Sequence, residues 1–201
     1  MEELKERSRL ISQLVEQNAS LNEIARFELC QLQIRSISEI LALACLTAHD
    51  DIQEVRSATL QSEYNAERIF KRLERLHPDY FPNPNQKIPV NLSDGGPAHY
   101  EIRPITEPYL TKTELIQSYN ECGRYLHRGS IRRLITEWYP KIDFSRIRLW
   151  NESLGRLLAP YHFIRLHGHR QMLLCVMNAI EHGGRAQCAL AERMEPTPGS
   201  D

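Results

Sequence analysis

The chain of 201 residues carries almost no net charge: 25 Lys and Arg stand against 26 Asp and Glu, a formal charge of −1. No global field steers it toward nucleic acid or an anionic membrane, so any nucleic-acid site has to be a local patch. Long apolar runs are missing as well. The longest, Ile40 to Leu46, is far shorter than the roughly 20 residues that span a bilayer. Cysteine is sparse and odd in number, with Cys30, Cys45, Cys122, Cys175 and Cys188 and no CxxC pair. Most of these fall in apolar periodic segments, where a thiol behaves as a small hydrophobe. A reduced, cytoplasmic setting is expected. The N-terminal MEELKERSRL is charged and lacks the apolar core of a signal peptide. There is no phosphate-cradling Gly-rich loop, no GxSxG elbow and no HExxH. A nucleotide triphosphate, flavin or nicotinamide role has no support, and no cofactor is expected.

What is present is an ordinary globular composition, 41% apolar and 25% charged. This length suits one domain, with or without a small appendage, and buries about 70% of the surface the unfolded chain exposes. Residues 2–17 set Leu4, Ile11, Leu14 and Val15 among charges, as in an amphipathic helix with a wet outer face. Ser20 and Glu23 have capping-box spacing and open a second helix. In that helix Ile24, Phe27, Ile34, Ile37, Leu41, Ala44 and Ala48 recur at helical steps, and the stretch from Ile40 to Leu46 is apolar all round. The spacing predicts another helix over 62–76, stopped by Pro78.

Seven of the eleven prolines fall between Pro78 and Pro108. That stretch excludes a regular helix and reads as a long connection with one short strand at His99 to Ile105. Thr111 and Glu114 form a second capping box, opening a helix with the stripe Leu115, Tyr119, Cys122 and Leu126. Gly129 breaks it, Ser130 recaps it, and a short helix follows to about Trp138. Asp143 caps one more, with Ile147, Trp150, Leu154 and Leu157 inward. After Pro160 the apolar period drops toward 2, giving strands at 162–166, 171–178 and 185–193 joined by the turns HGHR and Glu181-His182-Gly183-Gly184. The expected fold is therefore α+β. A mainly helical body at 1–158 holds the Pro-rich connection 78–108. A small C-terminal three-stranded antiparallel β-meander at 160–194 packs on that body, followed by a flexible tail at 195–201.

Chemically able side chains gather once, on the helix after Thr111. Asn120, Arg124 and His127 lie along one side, Arg128 joins Arg124, and Arg132 and Arg133 extend the positive charge. Histidine moves protons near neutral pH and arginine holds phosphate bidentately. Residues 113–136 resemble the motif helix of HEPN domains, small helical bundles often found in prokaryotic defence and toxin systems. Their pattern sets an Arg, or less often an Asn, four to six residues before a His. Here Asn120 and His127 are separated by six residues, the more usual arginine is absent, and the C-terminal strands are foreign to a minimal HEPN bundle. The resemblance implies metal-independent RNA cleavage at a dimer interface. Asn120 and His127 would be catalytic, and Arg124, Arg128, Arg132 and Arg133 would serve the phosphate.

The other candidates have plainer readings. His162, His167, His169 and His182 include a His-x-His, but Gly168 makes HGHR a hairpin turn and no Cys or carboxylate has ligand spacing with it. Successive hairpin turns also point to opposite ends, so no metal site is expected. Glu39 and Arg35 are four apart on a buried helix and read as a structural ion pair. Asp50 and Asp51 read as a solvated helix end. Tyr80, Phe81, His99 and Tyr100 either dock a partner or fold back over the core. Three classes follow. One is a binding or assembly module without chemistry, with self-association or a protein partner and no membrane. The second is a HEPN-like RNA-binding or RNA-cleaving protein. The third is a small-ligand binder using a cleft between helices and sheet.

Overall fold

The computed structural model describes residues 1–16, 20–90, 99–126, 141–158, 161–167, 171–179 and 183–192, with backbone only at 87–90, 99–101 and 192. The fold is α+β, and its order is α1 (Glu2–Val15), α2 (Glu23–Ala48), α3 (Ala58–Gln61), α4 (Ala66–Leu76), β1 (Asn83–Val90), β2 (His99–Pro104), α5 (Lys112–Leu126), α6 (Phe144–Leu158), β3 (Tyr161–Arg165), β4 (Gln171–Ala179) and β5 (Arg185–Glu192). The short helix expected before Trp138 and the tail 195–201 lie outside the described residues.

Helix α2 is the spine, packed by α1, α4 and α5. Its buried side includes Phe27, Cys30, Ile34, Ile37, Leu41 and Cys45. The expected stripe holds from Phe27 to Leu41, but Ile24 is 57% exposed, and the all-apolar stretch leaves Leu43 44% exposed. The capping box expected at Ser20 is not what starts the helix: Asn22 takes the cap, its side chain accepting from the Ala25 N–H at 2.8 Å. Ile24 then falls in the first turn, on the open side. By length and composition α2 is apolar enough to cross a membrane, which the shorter run Ile40 to Leu46 did not suggest. Here 56% of its most apolar window is buried inside the protein, which is the behaviour of a core helix. Helix α1 buries Leu4, Ile11, Leu14 and Val15 as its spacing requires. It is tied to α6 through the buried Asn151, which accepts from Ser8 Oγ at 2.8 Å and donates to the Ser8 carbonyl and Ser12 Oγ. Helix α4 starts later than expected because Asn65, not Ser62, caps it, accepting from the Arg68 N–H.

The sheet has five antiparallel strands in the order β2-β1-β3-β4-β5, two more than the expected meander. Both come from the Pro-rich connection: β2 is the short strand expected at His99 to Ile105, and β1 is the unexpected one. β1 pairs with β2 over Asn85–Val90 but with β3 only over Asn83–Asn85. The Pro84 carbonyl accepts from the Ile105 N–H, on the β2 side. By alternation Pro89 turns its missing N–H the other way, past the end of the β3 pairing, where no donor is needed. Ring burial supplies the rest: Tyr80 and Phe81 fold back on Phe70, with centroids 6.0 and 5.9 Å away, so the start of β1 is sealed to the helices.

Within β3 and β4, His162, Ile164, Cys175 and Met177 are buried, whereas Tyr161, Phe163, Met172, Leu174 and Val176 stay half-buried on the opposite face. This resolves the packing problem posed by Met172, Leu174, Cys175 and Met177, since the strand is apolar on both faces and its buried residues, Cys175 and Met177, share one of them. The β4–β5 turn ends in Gly183 and Gly184 with φ +64° and +77°, backbone that glycine adopts without strain. The first turn of α1 grips this end. Lys5 Nζ donates to the Gly184 carbonyl at 2.6 Å, and Glu2 accepts from the Ala186 N–H.

Candidate functional site

Helix α5 begins in a reciprocal capping box: the Thr111 N–H donates to Glu114 Oε2 at 2.9 Å and the Glu114 N–H to Thr111 Oγ1 at 3.2 Å. Its buried stripe of Leu115, Tyr119 and Cys122 fixes the rotation of the helix and turns Asn120 and Arg124 outward. Asn120 is committed to α4. Its Nδ2 donates to Glu67 Oε2 at 3.0 Å, and Lys71 pairs with the same carboxylate at 2.6 Å. Those contacts, Lys71 first and Asn120 second, hold the Glu67 carboxyl below its usual range. The neighbouring Glu121 is paired with Arg146 at 2.6 Å. The amide expected to be catalytic is therefore flanked by carboxylates. His127, Arg128, Arg132 and Arg133 lie outside the described residues, as do His169 and His182.

Between α2, α5 and α6 runs an open cleft of about 140 Å³, with Phe27, Gln31, Cys122 and Trp150 in its wall and the Glu121–Arg146 pair at its rim. Cys122 Sγ donates to Gln31 Oε1 at 3.0 Å, and burial pushes its thiol up to about 12. Such a thiol is mostly protonated at neutral pH and is a slow nucleophile. The indole N–H of Trp150 is buried without a hydrogen-bond partner among the described residues. The Arg35–Glu39 pair forms at 3.2 Å and closes onto Tyr119, whose hydroxyl accepts from Arg35 and donates to Glu39. The Arg35 guanidinium lies 4.6 Å from the Tyr119 ring centroid. Asp50 and Asp51 are exposed, as a solvated helix end requires.

One cluster was invisible to sequence spacing. His49 at the end of α2, His77 at the end of α4 and His167 after β3 meet ring to ring. The first pair is tilted with centroids 5.2 Å apart, and the second is edge to face at 5.6 Å. His49 Nδ1 lies 2.7 Å from the Cys45 carbonyl, and His77 Nε2 lies 2.7 Å from the Arg165 carbonyl, each within reach of a ring N–H donor. The Arg165 carbonyl also lies 3.1 Å from His49 Nε2. These ring nitrogens face carbonyl oxygens, and among the described residues no three His, Cys, Asp or Glu side chains converge as a metal site. The cluster's chemistry is that of a clamp joining two helix ends to the sheet.

Tyr80 stands against His49 at 6.4 Å with its hydroxyl buried and unpartnered among the described residues. Burial pushes its phenol far up. Leaving such a hydroxyl unmade costs about 1–3 kcal/mol. Tyr80→Phe is therefore expected to raise unfolding free energy by about 1 kcal/mol or more, read from urea denaturation. A loss of stability instead would mean the hydroxyl has an acceptor.

No family model matches the chain, no curated protein is detectably similar to it, and no solved structure resembles it significantly. The likeness of residues 113–136 to the HEPN motif helix thus rests on those residues alone.

Proposed function

We propose that the protein is a binding and assembly module without catalytic activity, and that it assembles with a second copy of itself by strand addition at β5. The observation that carries this reading is the undefended outer edge of the sheet. β2, the other edge, carries Glu101, Arg103 and Pro104, the residues that blunt edge pairing. β5 has charge only at its ends, Arg185 and Glu192, and between them runs Ala-Gln-Cys-Ala-Leu-Ala with Leu190 66% exposed. The Ala186 N–H turns to Glu2 instead of to β4. By strand alternation the N–H and C=O groups of Cys188 and Leu190 point the same way, off the edge. A two-fold axis through Ala189 lays Cys188 of each copy against Leu190 of the other, so both sets of edge groups are satisfied at once and the faces of the two sheets stay continuous. A reduced cytoplasmic setting suits five free thiols.

Sedimentation across a concentration series tests this. The wild-type protein is expected to dimerise. Leu190→Pro, which removes only an outward N–H, is expected to weaken the dimer about tenfold or more, since two hydrogen bonds are lost per dimer. Unchanged circular dichroism would show that the β4–β5 ladder survives. A wild-type monomer at every concentration, or a dimer indifferent to Leu190→Pro and Leu190→Lys, overturns the reading. A monomer that instead binds an extended peptide along β5 would keep the edge and change its occupant.

A further inference from the structure

We infer that Cys175 and Cys188 form a reversible thiol–disulfide site, oxidised by exchange with a low-molecular-weight disulfide. The two residues are directly opposite on β4 and β5 and their sulfurs are 3.2 Å apart. Opposed residues of an antiparallel pair have Cα atoms about 4.5–5.5 Å apart, inside the window a disulfide needs. A bond of about 2.05 Å therefore asks the sulfurs to close by little more than 1 Å, within side-chain reach and without backbone movement. The juxtaposition depends on an irregularity. Carried down the ladder unbroken, the Ala179–Arg185 pairing would set Cys175 opposite Ala189. The register shift between Val176 and Ala179 moves the strand by one residue and brings the two thiols face to face.

The two sulfurs have different access and hence different roles. Cys188 is exposed, whereas Cys175 is buried at 3% exposure, its thiol pushed up to about 12 by burial and then by Cys188. The exposed Cys188 thiolate attacks one sulfur of the small disulfide, a mixed disulfide forms, and one small thiolate leaves. Cys175 then gives up its proton to solvent and attacks the Cys188 sulfur, the protein disulfide forms, and the second small thiolate leaves. Two electrons pass from the protein thiols to the small disulfide, and no other oxidant is needed. The high thiol pKa of Cys175 makes the second step the slow one. Cys45, fully buried on α2, is held far above the usual thiol range by burial and then by Cys175, and takes no part. The product would pin β4 to β5 across the shifted register.

The test is to reduce the full chain, expose it to oxidised glutathione, count thiols and map the peptides. The five thiols of the reduced chain are expected to fall by two, with one Cys175–Cys188 link, no retained glutathione and a rate independent of protein concentration. Cys175→Ser is expected to trap glutathione on Cys188. Should that buried substitution prevent folding, Cys188→Ser decides the matter, because it is expected to leave every remaining thiol unreacted. Wild-type chains that keep glutathione on Cys188, that link through Cys188 between chains, or that join Cys175 to Cys45 overturn the assignment. The closing step lies within one chain, so thiol counts and peptide maps read this assignment separately from the sedimentation that reads pairing at β5.

Discussion

Phe70→Ala is expected to cost about 3–5 kcal/mol of unfolding free energy, the range for removing a large buried ring when the cavity cannot collapse. Phe70 is 1% exposed on α4 and meets both Tyr80 and Phe81. Those two rings stand immediately before β1, and Tyr80 also touches Phe81 and His49. The lost ring therefore opens the seam between helices and sheet as well as the core itself. Since a domain has only about 5–15 kcal/mol in hand, the variant is expected to be close to its unfolding threshold. Urea denaturation measures the change through the midpoint at constant slope. Leu149→Ala is the control: Leu149 is 62% exposed on α6, and its loss is expected to stay within about 0.5 kcal/mol. Equal effects at the two positions would mean that Tyr80 and Phe81 do not seal against Phe70.

The helices were legible because their signals are local. The stripe of α1, the Thr111–Glu114 box and the Asp143 cap, which accepts from the Arg146 N–H at 3.0 Å, all depend on residues within one or two turns. The exception is instructive. Ser20 and Glu23 have box spacing, yet Asn22 is itself a strong cap one residue before the helix, and it wins. β1 was not legible because its prolines argue against a strand unless the pairing partners are known. Only the short β3 contact and the end of β2 show that each missing donor falls where none is required.

The sites were less legible because they are made by tertiary contacts. His49, His77 and His167 come from three segments, and nothing in their spacing announces that two of them turn to the Arg165 carbonyl. Asn120 looked available on its own helix, but its partner Glu67 is on α4, across the bundle. The thiol pair was hidden by a one-residue register shift, a feature that alternation alone cannot place. The undefended edge could have been found: Ala186 to Ala191 contains no charge and no proline, and only the knowledge that β5 is the last strand was missing.

His162 should make the protein acid-sensitive in a window of its own. It is 1% exposed near the start of β3, paired across to Cys175 and Pro84, and among the described residues its Nδ1 has no hydrogen-bond partner. Burial lowers its pKa from 6.5 to about 4, against a smaller opposing pull from the Leu158 carbonyl. The native state therefore holds the ring neutral where the unfolded chain has already taken a proton. Above pH 6.5 both states are neutral and the full stability is present. As pH falls from 6.5 toward 4 the unfolded chain gains the proton alone, and stability falls by about 1.4 kcal/mol per pH unit, about 3 kcal/mol in all. Below about pH 4 both states are protonated at this position and its contribution to the decline ends. The carboxylates Glu2, Glu63 and Glu67, whose pKa values are lowered, add their losses only below their ordinary value of 4.5, so the upper part of the window is free of them. Urea denaturation of the wild type and of His162→Leu at steps from pH 7.5 to 4.5 reads the difference, in which other histidines cancel. The wild-type curve is expected to fall more steeply below pH 6.5 and the variant curve to lie flatter. Parallel curves over that interval would mean that the imidazole reaches solvent or a partner in the native state.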